Sequence, residues 1–287
     1  PIATLPDGRL ITFFSTHGRD HKMHYRISKN KYDVSEWEEP QIIDNMEKGS
    51  FGITYSNLAV LSEEKNRLYV FYRGNDFKPN FKFTDDYKSW SEGKTLVVKN
   101  KNQKNGGNAR PYLKMANNGK NTIHFAFTTG HPRNEYTNSL YYLRYKNGQF
   151  ENAAGKKVGT INDLPFDHSQ ADMVYDASKN LHRAWVWDIA YDENDFPVIA
   201  YTRVESEIKH QYWYARWDGQ KWLNNKISNA GRWFPRRDIP KEGYEGEPHY
   251  SGGLHLDHNN PDIIYASIPV NNVFEIHRFQ TSDKGKT

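Results

Sequence analysis

Short segments carrying His, Tyr and Arg recur in this chain where apolar runs end or begin. After apolar runs stand His17-Gly18-Arg19-Asp20-His21, Arg73-Gly74-Asn75-Asp76, Gly130-His131-Pro132-Arg133 and Thr202-Arg203. Before apolar runs stand Tyr55-Ser56-Asn57, Asn108-Ala109-Arg110-Pro111-Tyr112, Trp185-Val186-Trp187-Asp188 and His249-Tyr250-Ser251-Gly252-Gly253. An Arg fork can neutralise a carboxylate through two parallel hydrogen bonds and stabilise the enolate-like charge that forms beside it. His and Tyr can each take or give a proton at a reacting centre, and a nearby buried cation favours the phenolate of a Tyr. Together these groups suit removal of the C5 proton of a uronic acid with loss of the oxygen at C4, a β-elimination.

Such residues act together only if the fold brings them to one face, and a repeat provides it. Leu10–Phe14, Leu68–Tyr72, Ile123–Phe127, Pro197–Tyr201 and Ile263–Ser267 align, with centres at 13, 71, 126, 200 and 266, or 58, 55, 74 and 66 residues apart. Each follows a turn signal (Pro6-Asp7-Gly8, Glu64-Lys65-Asn66, Asn118-Gly119-Lys120, Glu193-Asn194-Asp195, Asn259-Asn260-Pro261) and an earlier apolar run, which reads as a hairpin. A basic residue among apolar ones comes next, at Arg26, Lys82, Arg144, Arg216 and Arg278, marking a third strand. Aromatics at Trp37, Trp90, Phe150 and Trp222 mark a fourth strand in four repeats. Four strands per repeat predict an all-β chain: a β-propeller with at least five four-stranded blades, forming one domain over residues 1–287. The start of the first strand and the end of the second lie on the same face of a blade, so the segments named above are expected to converge.

Thr281-Ser282-Asp283-Lys284-Gly285-Lys286-Thr287 reads as an Asp-box turn that stops before its usual aromatic, and Pro1–Leu5 already has strand spacing. The expectation is a fragment of a seven-bladed propeller, with part of the chain missing at one or both ends. The segment Lys99–Asn108 reads as an exposed loop between repeats. His124, in the middle of an apolar run, is expected in the core, and His168 and His182 are expected to be structural.

Composition narrows the partners. A net charge of +4 with both signs interspersed gives no basic stripe for nucleic acid, while a mild positive bias suits anionic substrates. Nineteen Tyr and eight Trp in a chain of mean hydropathy −0.93 suggest that some aromatics face sugars and most pack the core. No apolar run approaches a membrane span or a signal peptide, and the absence of Cys excludes thiolate ligands and nucleophiles.

The segments Asp7–Leu10 through His17-Gly18, Arg110-Pro111-Tyr112, Ile123–Phe125 through Gly130-His131-Pro132, Arg183–Asp188, Tyr214–Gly219 and Tyr250–Gly253 resemble the BNR-repeat-containing family over nearly the whole chain. That family resembles the seven-bladed propeller polysaccharide lyases, which include ulvan lyases and rhamnosyl-glucuronate lyases. In those enzymes a pair of His, a Tyr, an Arg and a later Tyr surround the uronate. The resemblance places the second His at His17, the Tyr at Tyr55, the Arg at Arg73 and the later Tyr at Tyr112, while the first His would precede Pro1. It implies a secreted or periplasmic lyase acting beside a uronate in a rhamnose-containing acidic polysaccharide. Arg73 would hold the carboxylate, His17 and Tyr55 would share base and acid roles, and Tyr112 would assist. Arg19, His21, Arg110, His131, Trp185, Trp187, Arg203 and Tyr250 complete the expected substrate-binding face. No cofactor is needed for this chemistry, and a structural Ca²⁺ or Zn²⁺ is implied by the resemblance alone.

Two other readings stand beside it. A glycoside hydrolase needs two carboxylates about 5–10 Å apart, with candidates at Asp20, Asp76, Asp188, Glu205 and Glu247, or, in sialidase fashion, three Arg at Arg73, Arg110 and Arg203 with a Tyr nucleophile. A non-catalytic glycan binder would use Trp185, Trp187 and Tyr250 as stacking surfaces. His131, His168, His249 and His255 show no close ligand spacing in the sequence. His255-Leu256-Asp257-His258 reads as a surface turn away from the site, and Asp188 as a strand cap.

Overall fold

The computed structural model describes residues 1–17, 21–43, 46, 52–74, 77–132, 134–180, 182–206, 208–231, 252–271 and 273–286. Consecutive stretches of chain form separate antiparallel sheets. The first contains β1 (Ile2–Thr4), β2 (Leu10–Phe14), β3 (Met23–Ile27) and β4 (Gln41–Ile43) in that order. The second contains β5 (Thr54–Leu61), β6 (Arg67–Gly74), β7 (Lys78–Thr84) and β8 (Lys94–Thr95), followed by β9 (Val97–Val98). The third contains β10 (Leu113–Asn117), β11 (Thr122–Thr128), β12 (Leu140–Lys146), β13 (Gln149–Glu151) and β14 (Lys157–Thr160). Next come β15 (Phe166–Asp167), paired in parallel with β9, and β16 (Asp172–Tyr175), paired with β12. The fourth sheet contains β17 (Arg183–Tyr191), β18 (Pro197–Ser206), β19 (Lys209–Trp217) and β20 (Trp222–Gly231). The fifth contains β21 (Leu254–Leu256), β22 (Ile263–Val270) and β23 (Val273–Gln280). All five repeat centres fall on second strands, and the basic markers Arg26, Lys82, Arg144, Arg216 and Arg278 fall on third strands.

The second strands of the middle sheets, β6, β11 and β18, are mostly apolar because both faces are covered. On β6, Leu68, Val70 and Tyr72 pack toward the first sheet, while Tyr69 and Phe71 pack toward the third. On β11, Ile123, Phe125 and Phe127 join the cluster shared with the second sheet, and Ala126 joins the one shared with the fourth. A further cluster joins the fourth and fifth sheets through Ala200, Tyr212, Leu256 and Ile264. Side chains alternate across a strand, so one run feeds two interfaces.

Two fourth-strand expectations need correction. Trp37 makes only an isolated bridge with Ser28, and Trp90 precedes β8. Trp90 nonetheless packs edge-on against Phe13 and Tyr25 of the first sheet, at 5.6 and 5.8 Å, so it fills an intersheet gap without being a strand residue. Lys99–Asn108 is also more than an exposed loop. The buried Lys78 ammonium donates to the carbonyls of Gly107 and Ala109, and β9 ties the start of the segment to β15.

Two of the third-strand cations, Arg144 and Arg216, are fasteners between sheets. Arg144 pairs with Glu151 of its own sheet and with Asp195 in the turn of the next. Arg216 does the same with Asp192 and with Asp262 in the turn of the fifth sheet. The Asp-box reading of the C-terminal turn also holds where described: Thr281 Oγ1 donates to Asp283 Oδ1 at 2.8 Å and accepts from Gly285 N–H at 2.7 Å. The same bonding recurs, unread in the sequence, where Thr84 Oγ1 donates to Asp86 and Asp86 accepts from the Lys88 and Ser89 amides.

His124 is a core residue, as expected. Its ring stacks on Tyr191 and its two nitrogens lie 2.8 Å from Tyr142 Oη and 3.1 Å from Asp195 Oδ1. Burial pushes its pKa down despite Asp195, and burial together with the Arg183 charge pushes His210 down to about 3. His210 stays neutral in the folded chain at pH values where an unfolded imidazole, near 6.5, takes up a proton, and the downward shift of His124 acts in the same direction. The unfolded state therefore binds more protons, and stability falls as pH drops from 7 to 5, by up to about 1.4 kcal/mol per pH unit per histidine. Denaturant unfolding at pH 7 and pH 5 is expected to show this loss. His210→Gln is expected to flatten the slope, and an unchanged slope would remove His210 as its source.

Candidate active site

A cleft of about 390 Å³ opens among the second, third and fourth sheets. Two β-bulges shape it. The β5–β6 register shifts between Thr54 and Asn57, and the β17–β18 register shifts between Val186 and Asp188. Bulges re-aim side chains at strand ends; here they carry Tyr55 and Trp187, both of which line the cleft. Tyr55 sits at φ 57°, with Asn57 Nδ2 donating to its carbonyl at 3.0 Å. His17 and Phe77 also have positive φ, at 55° and 64°. A left-handed backbone at a bulky residue persists only where its surroundings impose it; three such residues meet at this one place.

The side chains form a continuous aromatic wall. The His17 ring meets Tyr55 edge-on at 5.2 Å, and its Nδ1 shares a 3.2 Å hydrogen bond with Thr54 Oγ1. Tyr55 lies 6.3 Å from Tyr112, which contacts His131 at 5.3 Å and Trp185 at 4.8 Å. Trp187 stands 6.4 Å from Trp185 and is held by its indole N–H donating to Thr202 Oγ1 at 2.8 Å.

Arg73, at the end of β6, lies at the centre. Its guanidinium carbon is 4.7 Å from the Tyr55 ring centre and 4.7 Å from that of Phe77. Its Nη1 donates to Tyr112 Oη at 3.3 Å, whereas its buried Nε has no hydrogen-bond partner among the described residues. Among the described residues no carboxylate pairs with Arg73, and the cleft lining includes Lys114 but no Asp or Glu. A forked cation with a buried unpartnered donor is arranged to receive an anion.

The structure thus brings together His17, Tyr55, Arg73, Tyr112, His131, Trp185 and Trp187. Arg110 joins through Phe77, its guanidinium carbon 3.6 Å from that ring centre. Phe77 seats both arginines and was not legible in the sequence, because its left-handed backbone conformation carries no sequence mark. Arg203 does not belong to the cleft: its guanidinium is stacked between Trp213 and Tyr175 at 3.4 and 3.9 Å and donates to Tyr201 Oη, a packing role. The three-arginine arrangement around Arg73, Arg110 and Arg203 is therefore not formed. His21 is half-buried and is not part of the cleft lining. Arg19 and Tyr250 lie outside the described residues, as do Asp20, Asp76, Glu247 and His249.

The remaining carboxylate candidates are engaged elsewhere. Glu205 pairs with Lys209 and accepts from Gln211. Asp188 faces His255 and His258 and so does more than cap a strand, while the exposed turn expected at His258 is present but packs against β17, next to Trp187 of the cleft wall. Among the described residues these three form the one group able to hold a metal ion. No helix among the described residues is long and apolar enough to cross a membrane.

A family model described as a BNR repeat-containing family member matches residues 1–230. No curated protein sequence matches the chain. Among solved structures, a protein of unknown function from Dyadobacter fermentans is similar at 14% identity, covering 99% of this chain and 79% of that one, with a TM-score of 0.50. The catalytic domain of a GH62 α-L-arabinofuranosidase from Coprinopsis cinerea is similar at 11% identity, over 99% of this chain and 86% of that one, with a TM-score of 0.44. The intramolecular trans-sialidase from Ruminococcus gnavus is similar at 11% identity, over 93% of this chain and 51% of that one, with a TM-score of 0.41.

Proposed function

We propose that this chain, which belongs to the BNR repeat-containing family, binds an acidic glycan in the cleft with a uronate carboxylate on Arg73 and cleaves it by β-elimination. The observation that carries this reading is the Arg73 guanidinium, with a buried Nε lacking a partner, set among phenols and imidazoles in a cleft whose described lining has no carboxylate. The five sheets are then consecutive blades of a β-propeller. The substrate is a rhamnose-containing acidic polysaccharide met outside the cell or in a periplasm.

Arg73 spreads the charge of the enolate-like intermediate over its fork. Tyr55 and His17, in ring contact, provide the base and the acid. The C5–H bond breaks, its electrons form the C4=C5 double bond, the C4–O bond breaks, and the departing oxygen takes a proton. Tyr112, bonded to Arg73, keeps the fork in place, while Trp185 and Trp187 offer stacking faces for neighbouring sugars.

Hydrolysis is the second reading. With the three-arginine form not assembled, it requires two carboxylates, and Asp20, Asp76 and Glu247 are the candidates that fall outside the described residues. Incubation with uronate polysaccharides, ulvan among them, separates the readings. The expected result is a rise in the ultraviolet absorbance of an unsaturated uronate. New reducing ends without that absorbance would replace elimination by hydrolysis, and binding without turnover would leave a glycan receptor.

A further inference from the structure

Asp188 lies one residue beyond Trp187 on β17. It is 8% exposed, and both its carboxylate oxygens are oriented by backbone amides: Ile189 N–H donates to Oδ1 and Leu256 N–H to Oδ2, each at 2.9 Å. Two imidazoles from the fifth sheet close on the same carboxylate. His255 Nδ1 is 2.8 Å from Oδ2, and His258 Nε2 is 3.1 Å from each oxygen. The two rings are stacked with centres 5.4 Å apart, and the three ligand atoms lie within 4.8 Å of one another. Among the described residues no Lys or Arg pairs with Asp188, so two histidines alone gather on this buried carboxylate.

We infer that Asp188, His255 and His258 form a binding site for a divalent transition metal, with Zn²⁺ the best match. Two imidazole nitrogens and one carboxylate oxygen are a donor set of Zn²⁺, which binds each at about 2.0–2.2 Å. Ca²⁺ and Mg²⁺ take six or more oxygens and find too few here. The amides of Ile189 and Leu256 supply the outer bonds that hold a ligating carboxylate in place. The His255 side chain is largely exposed, which leaves the open side of the ion to water. The ion would fasten β21 of the fifth sheet to β17, beside the Trp187 ring that Gly253 packs against. It is therefore a structural clip next to the cleft wall, and the inference does not depend on the reaction the cleft performs.

The test uses the whole chain, purified without a histidine tag and stripped with a chelator. Titration with Zn²⁺ by calorimetry is expected to show one equivalent bound and a higher thermal midpoint. Co²⁺ is expected to bind at the same site and give visible d–d absorption bands. His255→Ala and His258→Ala are surface changes that spare the fold, and each is expected to weaken Zn²⁺ at least as much as the roughly 10–100-fold that loss of a supporting group costs. Absence of saturable binding, or binding unaffected by both variants, would overturn the site. Equal competition by Ca²⁺ would overturn the assignment to a transition metal.

Discussion

Arg73→Ala lowers kcat/KM on a uronate polysaccharide by about 10²–10³-fold, the usual effect of removing one donor aimed at developing negative charge. The loss falls mainly on kcat, because the carboxylate is most basic, and most in need of Arg73, once the C5 proton has left. Stability changes little. The guanidinium has no carboxylate partner among the described residues, and deleting it relieves the buried Nε of an unmet hydrogen bond. Arg73→Lys keeps the charge but loses the fork, so it restores only part of the rate. Steady-state kinetics beside thermal unfolding separate these effects. A variant that unfolds would make Arg73 a structural residue, and one that turns over normally would move the carboxylate site elsewhere.

Much of this site was legible because the second strands β6 and β11 are buried on both faces. The apolar runs at Leu68–Tyr72 and Ile123–Phe127 are unmistakable, and they locate the ends where Arg73 and His131 stand. Edge strands left little trace: Gln41–Ile43 and Lys94–Thr95 are short and half polar, so the nearby Trp37 and Trp90 stood out in their place. Position in the repeat also misled at Arg203, which matches Arg73 in its strand but finds Tyr175 and Trp213 on either side. The turn at Thr84–Ser89 was hidden because Lys88 stands where the motif has its Gly, while Tyr87, at φ 62°, matches Lys284 at φ 61°. Asp188 and His258 are 70 residues apart in sequence, and only the packing of β21 against β17 joins them.

The other large effect concerns the fasteners between sheets. Arg216 and Asp192 are almost wholly buried, at 3% and 2% side-chain exposure, whereas Asp262 remains 31% exposed. Arg216→Met fills much of the same volume but leaves Asp192 as a buried carboxylate without its counter-charge, and removing one partner of such a pair costs about 3–5 kcal/mol. Asp192 cannot escape by turning outward, because its other oxygen accepts the amides of Asn194 and Phe196 that shape the β17–β18 turn. Denaturant unfolding is therefore expected to show a large loss for Arg216→Met and a partial recovery in Arg216→Met/Asp192→Asn, where the uncompensated charge is gone and the turn keeps an acceptor. Arg144→Met is the internal control. Its partner Asp195 is 25% exposed and also pairs with Lys146, so water and a second cation replace much of what is lost. If the Arg144 and Arg216 variants lost equal stability, burial would not be what sets the strength of these clips. If the double variant failed to recover, the cost would lie in the missing contacts of the arginine stem and its bond to Tyr214, not in the stranded carboxylate.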